Sequence, residues 1–167
     1  MRQIQVHSAE SVCQVLWHNR PFGDKPYVLI SITDAKNLED MPVRFHATGN
    51  LKAVLHLPFI DIPPSRINPN QSILDQFELD NYAFDDNRIE RLLEFVHNEC
   101  LPERNILVHC EAGVSRSQAI TAFLEVYLDA DTRTLDFRLH DHNTEFFTSI
   151  WHYILKNDLR LHPDAAI

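Results

Sequence analysis

Only three glycines and three cysteines occur among the 167 residues, and basic residues are outnumbered by acidic ones, 15 to 24. Each shortage excludes something. An odd number of cysteines (Cys13, Cys100, Cys110) without a signal-peptide h-region in "MRQIQVHSAE" argues against a disulfide framework and for free thiols. Cys100 and Cys110 stand ten apart and no CxxC occurs, so no zinc spacing is present. A net charge of −9 argues against a nucleic-acid groove or an anionic membrane surface as partner. Five carboxylates fall between Asp75 and Asp86 alone. No apolar run reaches the ~18 residues of a membrane span, and the expectation is a cytoplasmic protein. The ten histidines are scattered, without a ligand spacing.

What is present is a packed globular composition, with 44% hydrophobic residues in a length that fits one domain, 1–167. Short apolar runs alternate with helix-period segments, the pattern of an α/β fold in three layers, with a central, mostly parallel sheet flanked by helices. Strands are expected at Gln3–Val6, Tyr27–Ile32, Leu51–Phe59 and Asn105–His109. The turn residues Thr48, Gly49 and Asn50 lead into the third. Ser8 is placed to cap a helix over "AESVCQVLW", with Glu10 in its first turn. Asp85 or Asp86 can cap a helix carrying Ile89, Leu92, Leu93 and Val96. A further helix runs from Ser117 with Ile120, Phe123, Leu124 and Tyr127 on one face. Asn143 is expected to cap the last helix, which bears Phe146, Phe147, Ile150, Trp151, Ile154 and Leu155. Between Asp61 and about Phe84 lies a long irregular stretch with Pro63, Pro64 and Pro69, a length common in functional loops.

The chemistry concentrates in "ILVHCEAGVSRSQAI", Ile106 to Ile120. A β-run ends on Cys110 and a helix begins about six residues later. In open α/β sheets, ligands bind beyond the carboxyl ends of the strands. There the backbone N–H groups of Glu111, Ala112, Gly113, Val114 and Ser115 can turn inward as an anion nest, helped by the helix dipole. Gly113 supplies a bend toward positive φ. Arg116, at the helix start, can clamp two phosphate oxygens. A thiol beside a helix N-terminus and a cation has a lowered pKa, which makes Cys110 a candidate nucleophile.

These residues carry a resemblance. "VHCEAGVSRS" resembles the signature of the cysteine-dependent protein tyrosine phosphatases, and "AGVSRS" looks most like their dual-specificity branch. "LHLPFIDI" and the layout are similar to compact bacterial tyrosine-phosphatase-like proteins, and "HNTEFFTSIWHY" to the family's late helix. The resemblance implies a protein tyrosine phosphatase-like fold and a phosphoric monoester hydrolase needing no cofactor. It implies a phosphorylated protein or peptide as substrate and a cysteinyl-phosphate on Cys110. Arg116 and the amides of Glu111 to Arg116 would bind phosphate. His109 would orient the loop and favour the thiolate, and Ser117 would assist the leaving sulfur. A general acid is also required. The resemblance puts it at Asp61, although Asp61 lies 49 residues before Cys110, more than in the compact members. Asp75 is the runner-up, then Asp80, Asp85 and Asp86.

Three other functions remain open at this level. A phosphatase for a polyanion, such as a phosphoinositide or an RNA 5′ end, would want lysines around the nest, where this loop carries Glu111. A phosphate-binding pseudophosphatase would not need both Cys110 and Arg116. An arsenate-reducing enzyme would need a resolving thiol, for which Cys100 is the nearest in sequence.

Overall fold

The computed structural model describes residues 2–17, 25–62, 83–128, 141–157 and 159. Strands β1 (Ile4–Ser8), β2 (Tyr27–Thr33), β3 (Leu51–Pro58) and β4 (Asn105–Cys110) form one sheet in the order β1-β4-β2-β3. All three pairings are parallel. Every residue of β2 and β4 is buried, because parallel strands are covered on both faces.

Two apolar clusters follow from that covering. On one face, Val28, Ile30, Ile32, Leu55, Leu57, Ile106 and Val108 meet three helices. These are α2 (Asp86–Glu99), α3 (Arg116–Tyr127) and α4 (Asp141–Lys156). On the other face, Leu29, Leu51 and Leu107 pack with Val12 of helix α1 (Ala9–Trp17). The result is the expected three-layer α/β arrangement.

The local signals act as their chemistry dictates. Ser8 Oγ accepts from Ser11 N at 3.2 Å and caps α1. Asp85, rather than Asp86, caps α2, accepting from Arg88 N at 2.9 Å. Gly49 adopts φ +56° in the turn before β3. Two expectations are corrected. The last helix starts at Asp141, so Asn143 lies inside it and is not its cap. Leu155 is largely exposed, because the buried stripe of α4 runs through Phe146, Ile150 and Ile154 while Leu155 lies one residue beyond it. Pro63, Pro64, Pro69, Asp75 and Asp80 lie outside the described residues. Among the described residues, no helix is long and apolar enough to cross a membrane.

Parallel pairing sends all four strand ends to one edge of the sheet. Ser8 pairs with Cys110, and Thr33 pairs with Pro58. The segments that follow them (the start of α1, residues 34–41, residues 59–62 and the loop 111–115) therefore begin side by side.

Candidate active site

Cys110 is the last residue of β4 and is nearly fully buried. Its Sγ lies 3.1 Å from the Ser117 hydroxyl, on the first turn of α3. Burial pushes the thiol up. The Ser117 hydroxyl and the backbone N–H groups of Ser117, Ser115 and Gly113 outweigh it, and the net shift is below the ordinary thiol value. Hydrogen bonds to a charged form favour that form, so the loop favours the thiolate relative to an ordinary thiol.

The loop between strand and helix curls because Gly113 adopts φ +73°. A second constraint acts on the same residue. A Cβ there would stand 2.8 Å from His7 O and 2.9 Å from His7 C, at the end of β1. The loop is also tied to α1, where Ala9 N donates to Glu111 O at 3.1 Å. Glu111, Ala112 and Val114 are exposed, whereas Ser115 is buried. The carboxylate of Glu111 thus belongs to the rim.

Arg116 is 3% exposed and opens α3. Its Nη1 donates to Asp34 Oδ1 and to the carbonyl of Phe59, both at 2.6 Å. The guanidinium carbon lies 5.7 Å from the centre of the Phe59 ring. Its Nε is buried and has no hydrogen-bond partner. A buried cationic N–H left unpaired is costly, and an incoming oxyanion would satisfy it.

Asp61 is exposed, three residues past β3, and accepts from Ser115 Oγ at 2.7 Å. The structure thus places Asp61 against the loop that holds Cys110. Asp85 and Asp86 are used elsewhere, Asp85 as a cap and Asp86 in an ion pair with Lys156 at 3.2 Å.

His109, beside the nucleophile, is also buried. Nδ1 faces the Cys110 carbonyl at 3.3 Å and Nε2 the Ser31 hydroxyl at 2.8 Å. Burial drives its pKa down to about 4, so the ring is neutral at pH 7. Whatever it does for the thiolate, it does through hydrogen bonding and not as a cation.

Cys100 caps the C-terminus of α2, at the opposite end of the sheet from Cys110. The intervening strand β4 alone spans on the order of 16 Å. Burial pushes its thiol up to about 12. Such a group is neither near nor reactive enough to resolve a bond on Cys110.

Three participants were not foreseen from the sequence: Asp34, Ser31 and the Phe59 carbonyl. Asp34 had a signal, since it follows β2 directly and the carboxyl-end rule applies to every parallel strand. Ser31 had none, because one hydroxyl inside an apolar strand acquires meaning only from its cross-strand neighbour.

The chain matches no protein-family model and no curated protein. Among solved structures it is similar to OH1 from the Orf virus, a tyrosine phosphatase described as displaying distinct structural features and triple substrate specificity. The likeness spans 96% of this chain and 74% of that one, at 20% identity and a TM-score of 0.40.

Proposed function

We propose that this chain is a single phosphatase domain that hydrolyses phosphate monoesters of protein side chains through a cysteinyl-phosphate intermediate. One observation carries the reading. A thiol with a lowered pKa lies beneath inward-turned amides, beside a buried arginine whose Nε has no partner.

The chemistry follows from these positions. The phosphate takes oxygens to the loop amides and to Nε–H of Arg116, while Asp34 and the Phe59 carbonyl hold Nη1. The Cys110 thiolate attacks phosphorus, and the P–S bond forms as the bond to the ester oxygen breaks. Fixed N–H dipoles and the guanidinium stabilise the charge on the equatorial oxygens. The ester oxygen leaves with a proton from Asp61. Asp34 is a poor alternative, because its carboxylate is already held by Arg116 at 2.6 Å. Water then attacks phosphorus, Asp61 accepts its proton, and the Ser117 hydroxyl donates to the departing sulfur.

The exposed Glu111 and the absence of lysine from the loop favour a singly phosphorylated protein substrate over a polyanion. The test is a pair of variants. Cys110→Ser should abolish turnover of an aryl phosphate and still bind vanadate or phosphopeptide. Asp61→Ala should lower kcat by about 10²–10⁴-fold, the usual size of general acid catalysis, with binding retained. Turnover by Cys110→Ser would refute the mechanism. Full activity of Asp61→Ala would move the acid elsewhere.

A further inference from the structure

Behind the nucleophile, one residue earlier on each strand, the sheet carries a polar row. His7 of β1 pairs with His109 of β4, His109 with Ser31 of β2, and Ser31 with His56 of β3. This row lies on the α1 side of the sheet, next to the apolar Leu29 and Leu107. Ser31 is fully buried. A polar group so placed needs a partner, and its partner is the ring of His109.

The direction of the two bonds to His109 can be deduced. The Cys110 carbonyl can only accept, so Nδ1 carries the hydrogen. The ring is neutral, so Nε2 is a lone pair, and the Ser31 hydroxyl donates to it at 2.8 Å. The opposite tautomer would set the Nδ1 lone pair against the carbonyl oxygen. Other neighbours do not fix the tautomer. His7 spends its nitrogens on Ser11 and Gln5, and His56 Nε2 accepts from Phe45 N at 3.0 Å. The Phe45 ring meets His109 edge-on, with centroids 5.5 Å apart.

We propose that Ser31 is a positioning residue: it holds His109 as the Nδ1–H tautomer, and His109 in turn fixes the Cys110–Glu111 peptide that opens the phosphate loop. That peptide is the junction between the strand and the amides facing the sulfur. A carbonyl anchored from behind keeps its N–H turned toward the nest. The inference deepens the phosphatase reading and rests on it only for the kinetic consequence.

The experiment uses the full chain and two readouts that need no phosphate ester. The 15N shifts of the His109 ring report the tautomer, and the rate of Cys110 alkylation by iodoacetate against pH reports the thiolate. In wild type, the ring is a single Nδ1–H form. In Ser31→Ala, the ring populates the Nε2–H form, the alkylation midpoint moves up, and kcat/KM for an aryl phosphate falls about tenfold, the scale of one hydrogen bond. Ser31→Thr keeps the hydroxyl and restores all three. The titration is read with His7, His56 and Arg116 present, since these are the charged or titratable groups acting on the ring. An unchanged tautomer or an unchanged alkylation profile in folded Ser31→Ala overturns the proposal. Both shifts in a chain that never hydrolyses a phosphate ester would instead sink the phosphatase reading and leave the role of Ser31 standing.

Discussion

Replacing Gly113 by alanine isolates what the loop requires of its glycine. Two costs arise, and the structure separates them. The first is conformational. At φ +73°, a residue with a Cβ adopts the left-handed region at a cost of about 1–2 kcal/mol. The second is steric. The added carbon would sit 2.8 Å from His7 O, 2.9 Å from His7 C and 3.1 Å from Ser8 N. All three are backbone atoms of β1, so no rotamer change relieves the contact. Either the loop or the end of β1 must move, and β1 is paired to β4 through Cys110 itself. Overpacking of this kind costs about 1–3 kcal/mol. The sum is about 2–5 kcal/mol if the loop stays in place, and less if it shifts away from β1. Gly49 provides the control. It has φ +56° and nothing within 4 Å of its would-be Cβ, so Gly49→Ala pays the first cost alone, about 1–2 kcal/mol. Urea unfolding of both variants, with iodoacetate alkylation of Cys110 alongside, checks the pair. Gly113→Ala should be the less stable by at least about 1 kcal/mol, or should match Gly49→Ala with Cys110 alkylation clearly altered. Equal stability losses with wild-type alkylation would refute the close approach to β1.

Two further outcomes follow from burial and charge. Iodoacetate near pH 7 should modify Cys110 and spare Cys100, whose thiol is buried and pushed up to about 12; peptide mapping reads the ratio, and comparable labelling would contradict the environments described. Acid should destabilise the fold through His109. Its folded pKa of about 4 lies below the usual 6.5, so the unfolded chain binds the extra proton between those values. Stability is then complete above about pH 6.5 and falls as pH drops toward about 4, by up to ~3 kcal/mol from this one group. Denaturant titrations of wild type and His109→Gln across that range should converge as pH falls, and parallel curves would count against a neutral buried ring.

Much of the architecture was legible because it rests on short-range patterns. β2 reads as a strand from "YVLISI" alone, since a strand buried on both faces is apolar throughout. The cap at Ser8 and the turn at Gly49 are local chemistry and came out where their residues stand. The late helix was harder. Its cap was expected at Asn143, a good capping residue, yet the helix already includes Asp141, so Asn143 lies within it.

The sequence by itself determined the strand-loop-helix of "VHCEAGVSRS": a cysteine, a bend-forming glycine, an arginine and a serine within eight residues. Proximity there is guaranteed by the chain. Everything that approaches from elsewhere was decided by the parallel sheet. Its register brings Ser31 to the ring of His109, the end of β2 brings Asp34 to Arg116, and the end of β3 brings Phe59 and Asp61 to Arg116 and Ser115. Those residues are 54 to 82 positions from their partners along the chain. No local propensity encodes such pairings; they follow from parallel strands ending together on one edge of the sheet.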